Sequence, residues 1–193
     1  MAPTFPSTTA PFVLAGLLAL AAAPSVAQSQ PSPKAQTVAS GLQNPWAVAF
    51  LPDGRFLVTE RPGRLRVVNA DGQVQPAVQG LPEVAAGGQG GLLDVITDSA
   101  FASNRTIYFC FSEPGKGTTN STALARARLS DDLKQLQDMK VIFSQQPKVS
   151  STAHFGCRIV ERQVNGKPDG TLLLTLGERF SRRDDAQTLD NHH

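Results

Sequence analysis

The sequence predicts an all-β fold built from four-stranded antiparallel blades, a β-propeller. Three observations predict it. Short apolar or alternating runs recur along the 193 residues, and tight-turn pairs such as Asp53-Gly54 and Asp71-Gly72 separate them. The runs fall into sets of four, spaced roughly forty to sixty residues apart, which is the period of propeller blades. Gly 16 and Pro 14 suit short strands and tight turns better than a helix bundle.

The first set starts with a strand at 44–50, turned by Leu51-Pro52-Asp53-Gly54. A strand at 55–60 follows, then a turn at Arg61-Pro62-Gly63. The stretch 64–68 alternates charged and apolar side chains, so one of its faces is expected to be wet. Asn69-Ala70-Asp71-Gly72 turns it, because Asp-Gly supplies the positive φ such turns need, and a weaker strand occupies 74–78. The second set reads as strands at 90–96, 106–111, 123–129 and 140–143. A third opens at 155–160 and continues after Asp169-Gly170 at 171–176. A β-sandwich is the alternative, but the Asp-Gly punctuation in phase with the sets favours the propeller. About two and a half blades fit, too few to close a ring and remove its edges, so the chain reads as the front part of a longer protein.

The first segment reads as an address. Residues 12–23 form an uncharged apolar run, followed by Pro24-Ser25-Val26-Ala27, whose small residues fit signal-peptidase cleavage before Gln28. The run is shorter than the roughly 20 residues a membrane span needs. Residues 1–27 therefore read as a signal peptide, 28–36 as a polar linker and 37–193 as the blades, in a periplasmic or secreted protein with no membrane span after cleavage. Lys+Arg 18 against Asp+Glu 16 leaves a formal charge of +2, which excludes a strongly basic nucleic-acid arm and an acidic tail. Two cysteines exclude a disulfide scaffold and a four-cysteine zinc site. Cys110 and Cys157 read as buried free thiols, with a disulfide in an oxidising compartment as the alternative.

His154 is the histidine lying away from the chain end, just before the strand that opens the third set. In a propeller that position faces the central channel, where a neutral imidazole can act as general base. An isolated histidine also serves as a plain turn cap. Glu178 follows the next strand, and antiparallel pairing can bring it back to orient that imidazole. Gln89 stands among Gly87, Gly88, Gly90 and Gly91, which permit close approach of backbone to a ligand, or simply make a flexible turn. Arg179, Arg182 and Arg183 read as a solvated loop, and Asn104-Arg105-Thr106 and Asn120-Ser121-Thr122 match the glycosylation pattern that also arises by chance. No zinc-type His/Cys spacing is present, so no metal ligand is assigned.

Taken together, NPWAVAFLPDGRFLVTERPGRLRVV, GGQGGLLDV, HFGCRIV and LLLTLGERFSRRDDAQTLDNHH resemble the soluble quinoprotein sugar dehydrogenases of the glucose/sorbosone dehydrogenase group, most closely the aldose sugar dehydrogenases. The resemblance spans nearly all of the chain after the leader and makes His192-His193 the interior of a motif rather than a metal pair or tag. It implies a six-bladed propeller holding pyrroloquinoline quinone (PQQ) and Ca2+, and oxidation of an aldose C1 hydroxyl with electrons passed to an external acceptor. It gives His154 the role of base, Glu178 that of its acidic partner, and places Gln89 near substrate and cofactor. Arg158 matches the arginine of the His154 motif and is assigned to the cofactor side, more as support than as a reacting group. The basic residues that hold the quinone carboxylates, and most calcium ligands, are expected beyond residue 193, so this chain alone is expected to be inactive. Two other readings stand beside this one: a non-catalytic secreted binding module and a calcium-dependent propeller lactonase.

Overall fold

The computed structural model describes residues 32–193; the predicted leader lies outside the described residues, as do residues 28–31 of the polar linker. Residues 32–36 are exposed and carry no regular structure, and Gln36–His193 form one unit. Its first sheet is β1 (Pro45–Phe50), β2 (Phe56–Glu60), β3 (Arg64–Val68) and β4 (Val74–Ala77), hydrogen-bonded in that order. The second is β5 (Leu92–Thr97), β6 (Thr106–Pro114), β7 (Asn120–Leu129) and β8 (Leu136–Ser144), again in chain order. The third pairs β9 (Gly156–Val164) with β10 (Lys167–Leu176). The strand pairs within these sheets are antiparallel. The first strands stand side by side, β1 against β5 and β5 against β9. This is the arrangement of consecutive propeller blades: two complete and one half, as the sequence predicts.

The blades hold together through their faces. Leu57, Leu65 and Val67 of the first sheet meet Ile107, Phe109, Phe111 and Ala125 of the second in one buried cluster. On the opposite side of the second sheet, Leu93, Cys110 and Leu124 meet Phe155, Cys157 and Ile159. The middle blade is thus covered on both faces, which is why β7 is buried almost throughout. The two outer faces remain apolar and exposed, with Val48 and Phe50 on one and Val160 and Leu173 on the other. The wet face expected of β3 is partial. Arg64 and Arg66 converge on buried Glu60, the former at 2.6 Å and the latter at 3.6 Å.

Three expectations need correction. Cys110 and Cys157 are not free thiols; they form a disulfide with their Cα atoms 6.1 Å apart. The bond joins β6 to β9, strands 47 residues apart that meet face to face only after the blades stack. The reversal between β9 and β10 is Asn165-Gly166, not Asp169-Gly170. Val164 faces Lys167, and Asn165 and Gly166 take φ of 52° and 74°. That is the Asn-Gly hairpin turn, and Asp169-Gly170 becomes an irregularity inside β10. Finally, β6 and β7 run past the predicted 106–111 and 123–129 because their polar ends are satisfied in the interior. The Ser112 hydroxyl donates to the Ala85 carbonyl (2.7 Å) and the Thr122 hydroxyl to that of Phe155 (2.7 Å).

Candidate active site

The ends of the inner strands meet at a cavity of about 270 Å³ lined by Trp46, Arg61, Gln89, Leu93, His154 and Phe155, with Gly156 at its edge. His154 enters from the residue pair before β9 and Glu178 from just after β10. Because these strands are antiparallel neighbours, the start of one lies beside the end of the other, and Leu176 pairs with Gly156. The approach of the two backbones is close: the Gly177 amide donates to the Phe155 carbonyl (3.2 Å) and the Arg179 amide to that of His154 (3.2 Å).

His154 Nδ1 lies 2.6 Å from Glu178 Oε1. This hydrogen bond is the main reason the Glu178 carboxyl sits below its ordinary value, helped by its own backbone amide and the charge of Arg183. An ionised carboxylate only accepts, so Nδ1 carries the proton and a neutral His154 keeps its lone pair on Nε2. Phe180 stands edge-on to the imidazole, with ring centroids 5.3 Å apart. Gln89 arrives from the glycine loop before β5. Its side-chain oxygen accepts from the His154 amide (2.8 Å), while its own amide donates to Thr152 (2.8 Å). The sequence-predicted His154, Glu178 and Gln89 are therefore brought together.

Arg158 is held beside the cavity rather than in its wall. Its guanidinium bonds Asp94 at 3.0 Å and lies over the Trp46 ring, 5.4 Å from the centroid. Asp94 is buried and also accepts from the Ile159 amide (2.8 Å), tying β5 to β9. His192 and His193 are spent on hydrogen bonds to Gln146 and Pro147, and buried Gln145 links the His192 carbonyl to that of Gly177.

Sequence reasoning passed over Trp46, Arg61 and Asp94 and misplaced Arg179. The chain's one tryptophan and the lone acid inside an otherwise apolar strand were visible signals for Trp46 and Asp94. Arg61 donates to the Gly88 carbonyl (2.6 Å) and so shapes the glycine loop. Arg179, read as part of a solvated loop, is wholly buried. Asn120 of the second glycosylation pattern is buried beside it, whereas Asn104 of the first is exposed.

Comparison with known proteins agrees with the fold. The chain is 44% identical over 150 residues to aldose sugar dehydrogenase YliI of Escherichia coli (strain K12), a match covering 77% of this chain and 39% of that protein. A crystal structure of a glucose dehydrogenase superposes with a TM-score of 0.76 at 43% identity, covering 83% of this chain and 45% of that one. The PQQ-bound form of aldose sugar dehydrogenase from Streptomyces coelicolor matches at a TM-score of 0.62 and 28% identity, over 75% of this chain and 41% of that one. The chain thus spans less than half the length of each of these relatives. The sequence model of glucose/sorbosone dehydrogenases matches residues 42–193, a span that holds the blades and the residues at their inner ends, and the chain belongs to that family.

Proposed function

We propose that this chain supplies the proton-accepting wall of a PQQ-dependent aldose sugar dehydrogenase that oxidises the C1 hydroxyl to a lactone. The observation that carries the reading is the 2.6 Å contact of His154 Nδ1 with Glu178 at the edge of an open cavity. Glu178 holds the Nδ1 proton, which leaves Nε2 free to take the C1 hydroxyl proton. The resulting imidazolium is stabilised by the same carboxylate. Gln89 fixes the His154 backbone so that the ring keeps its place as the proton arrives. Trp46 offers an aromatic face within the same cavity, and Arg158 stiffens that ring from beside it.

PQQ, when bound, supplies the acceptor for the C1 hydride and passes the electrons on to an external acceptor. The residues present fit it as one wall: an aromatic ring, the Gln89 amide, and the Arg61 guanidinium already engaged with Gly88. A tricarboxylate needs more cationic partners than this. Among the described residues, no group of three His, Cys, Asp or Glu side chains is placed to hold a metal ion, so no step here uses calcium. The proposal assigns the calcium ligands and the remaining charge partners to the part of the longer relatives that this chain does not match. The chain alone is then inactive. A periplasmic or secreted location is part of the same reading, supported by the apolar 12–23 run and the disulfide. Among the described residues no helix is long and apolar enough to cross a membrane.

The test is a chimera in which residues 36–193 replace the matching segment of the Escherichia coli relative. Quinone-dependent dye reduction by aldoses is expected, with the isolated chain at background. His154→Asn should lower the chimera's rate by about 10²–10⁴-fold. A chimera that folds, binds quinone and keeps its rate without the imidazole would sink the assignment.

A further inference from the structure

Arg179 has the largest fully buried side chain among the described residues, and its exposure is 0%. Its guanidinium donates to four oxygens: Nη1 to the Asn120 carbonyl (3.0 Å), Nη2 to Asn120 Oδ1 (2.6 Å) and the Ser151 carbonyl (2.6 Å), and Nε to the Ala153 carbonyl (3.1 Å). These acceptors are all neutral. Burial lowers its pKa to about 10, so the group still carries its charge at neutral pH. Among the described residues no carboxylate pairs with it, and a buried cation so placed is a costly way to fill space that an apolar side chain would fill better.

What the guanidinium does is tie two segments to its own, the stretch that follows β10. Asn120 opens β7; Ser151 and Ala153 lie in the loop that delivers His154. Phe155, directly after His154, lies under the guanidinium with its centroid 3.8 Å from the Arg179 Cζ. The tip of that ring abuts the glycine loop, where a Cβ on Gly90 would come within 2.8 Å of it. His154 is thus bracketed by residues that Arg179 holds. Glu178 is its chain neighbour, and the Arg179 amide itself donates to the His154 carbonyl. Both backbones are left-handed, with φ of 48° at His154 and 59° at Arg179, a conformation that side-chain-bearing residues keep only where their surroundings enforce it.

We propose that Arg179 is a positioning residue: its fork locks the loop carrying His154 against the strand end carrying Glu178 and so holds the acid–base pair in register. The proposal rests on the assignment of His154 as the base, but its test needs neither quinone nor sugar. In the 193-residue chain labelled with ¹⁵N and ¹³C, the His154 Nδ1 proton should give a downfield, exchange-protected resonance, and the Glu178 carboxyl should titrate below 4.5. Arg179→Met should lose that resonance and shift the Glu178 midpoint upward, while the methyl signals of Leu57 and Leu65 in the first core cluster stay native. If both signatures survive in Arg179→Met, the proposal is overturned, whatever happens to the melting temperature. If that variant does not fold, Asn120→Ala decides. It removes a single acceptor, Asn120 Oδ1, which belongs to neither the His154 loop nor the Glu178 strand end, and a raised Glu178 midpoint supports positioning whereas an unchanged one overturns it. Failure of the dehydrogenase reading would show in the chimera and leave these spectra untouched.

Discussion

Glu178 is half-buried, and burial by itself would raise its pKa, so the lowered value comes first from the His154 hydrogen bond. The sign of the pH dependence follows. A carboxyl whose folded pKa lies below its unfolded value contributes stability that is fully present above the unfolded midpoint and disappears as pH falls through the folded one. The pair is therefore intact at neutral pH and comes apart only in acid, below the ordinary 4.5 of a glutamate. In His154→Ala the Glu178 midpoint should rise toward that ordinary value, read by carboxyl ¹³C shift against pH. No movement would mean the contact is absent in solution. Glu178→Gln keeps the shape but no longer stabilises an imidazolium, and in the chimera it should cost on the order of 10²-fold in kcat with KM little changed. At this scale His154, Glu178 and Gln89 were legible because a lone histidine, a carboxylate after a strand and a polar residue among glycines are each unusual locally. Arg179 was not. A charged residue in a polar loop looks solvated until its acceptors, 26 to 59 positions away, are seen to surround it.

Between elements, the β9–β10 hairpin shows how competing turn signals are resolved. Asn165-Gly166 and Asp169-Gly170 both fit a tight turn. The pairing of Leu172, Leu173 and Leu174 with Glu161, Val160 and Ile159 sets a register that leaves only the former at the tip. That register also decides whether His154 and Glu178 meet, since it brings the start of β9 to the end of β10. Gly177 marks the tightest point: a Cβ there would lie 2.1 Å from the His154 carbonyl oxygen. Gly177→Ala should destabilise the fold by about 1–3 kcal/mol, the range for forcing atoms into a filled space. Chemical denaturation checks this, together with loss of the His154 Nδ1 signal. A native denaturation midpoint would show that the backbone there yields freely.

Across the whole molecule, the disulfide joins the second blade to the third. A cross-link closing a loop of 47 residues is expected to add about 4 kcal/mol by restricting the unfolded chain. Thiol labelling of the denatured, unreduced chain should find neither Cys110 nor Cys157 free, and reduction should lower the melting temperature. An unchanged melt on reduction would place the stability of the third blade in its apolar contacts alone. Those contacts are considerable, since Phe155, Ile159, Leu172 and Leu174 all face the middle blade.

By itself the sequence determined the blade count, the order of strands and most turns, and it singled out three polar side chains, each unusual in its own stretch of chain. All of these depend on residues near one another in the chain, where alternation and turn chemistry act. The tertiary structure decided what depends on which blade faces meet. It paired Cys110 with Cys157, buried Arg179 against Asn120, and set Asp94 on Arg158 and Ile159 across β5 and β9. The physical reason is that periodicity tells a strand which face is apolar but not which other face will cover it. That choice is made by packing between sheets, over separations of 47, 59 and 64 residues that no local pattern records.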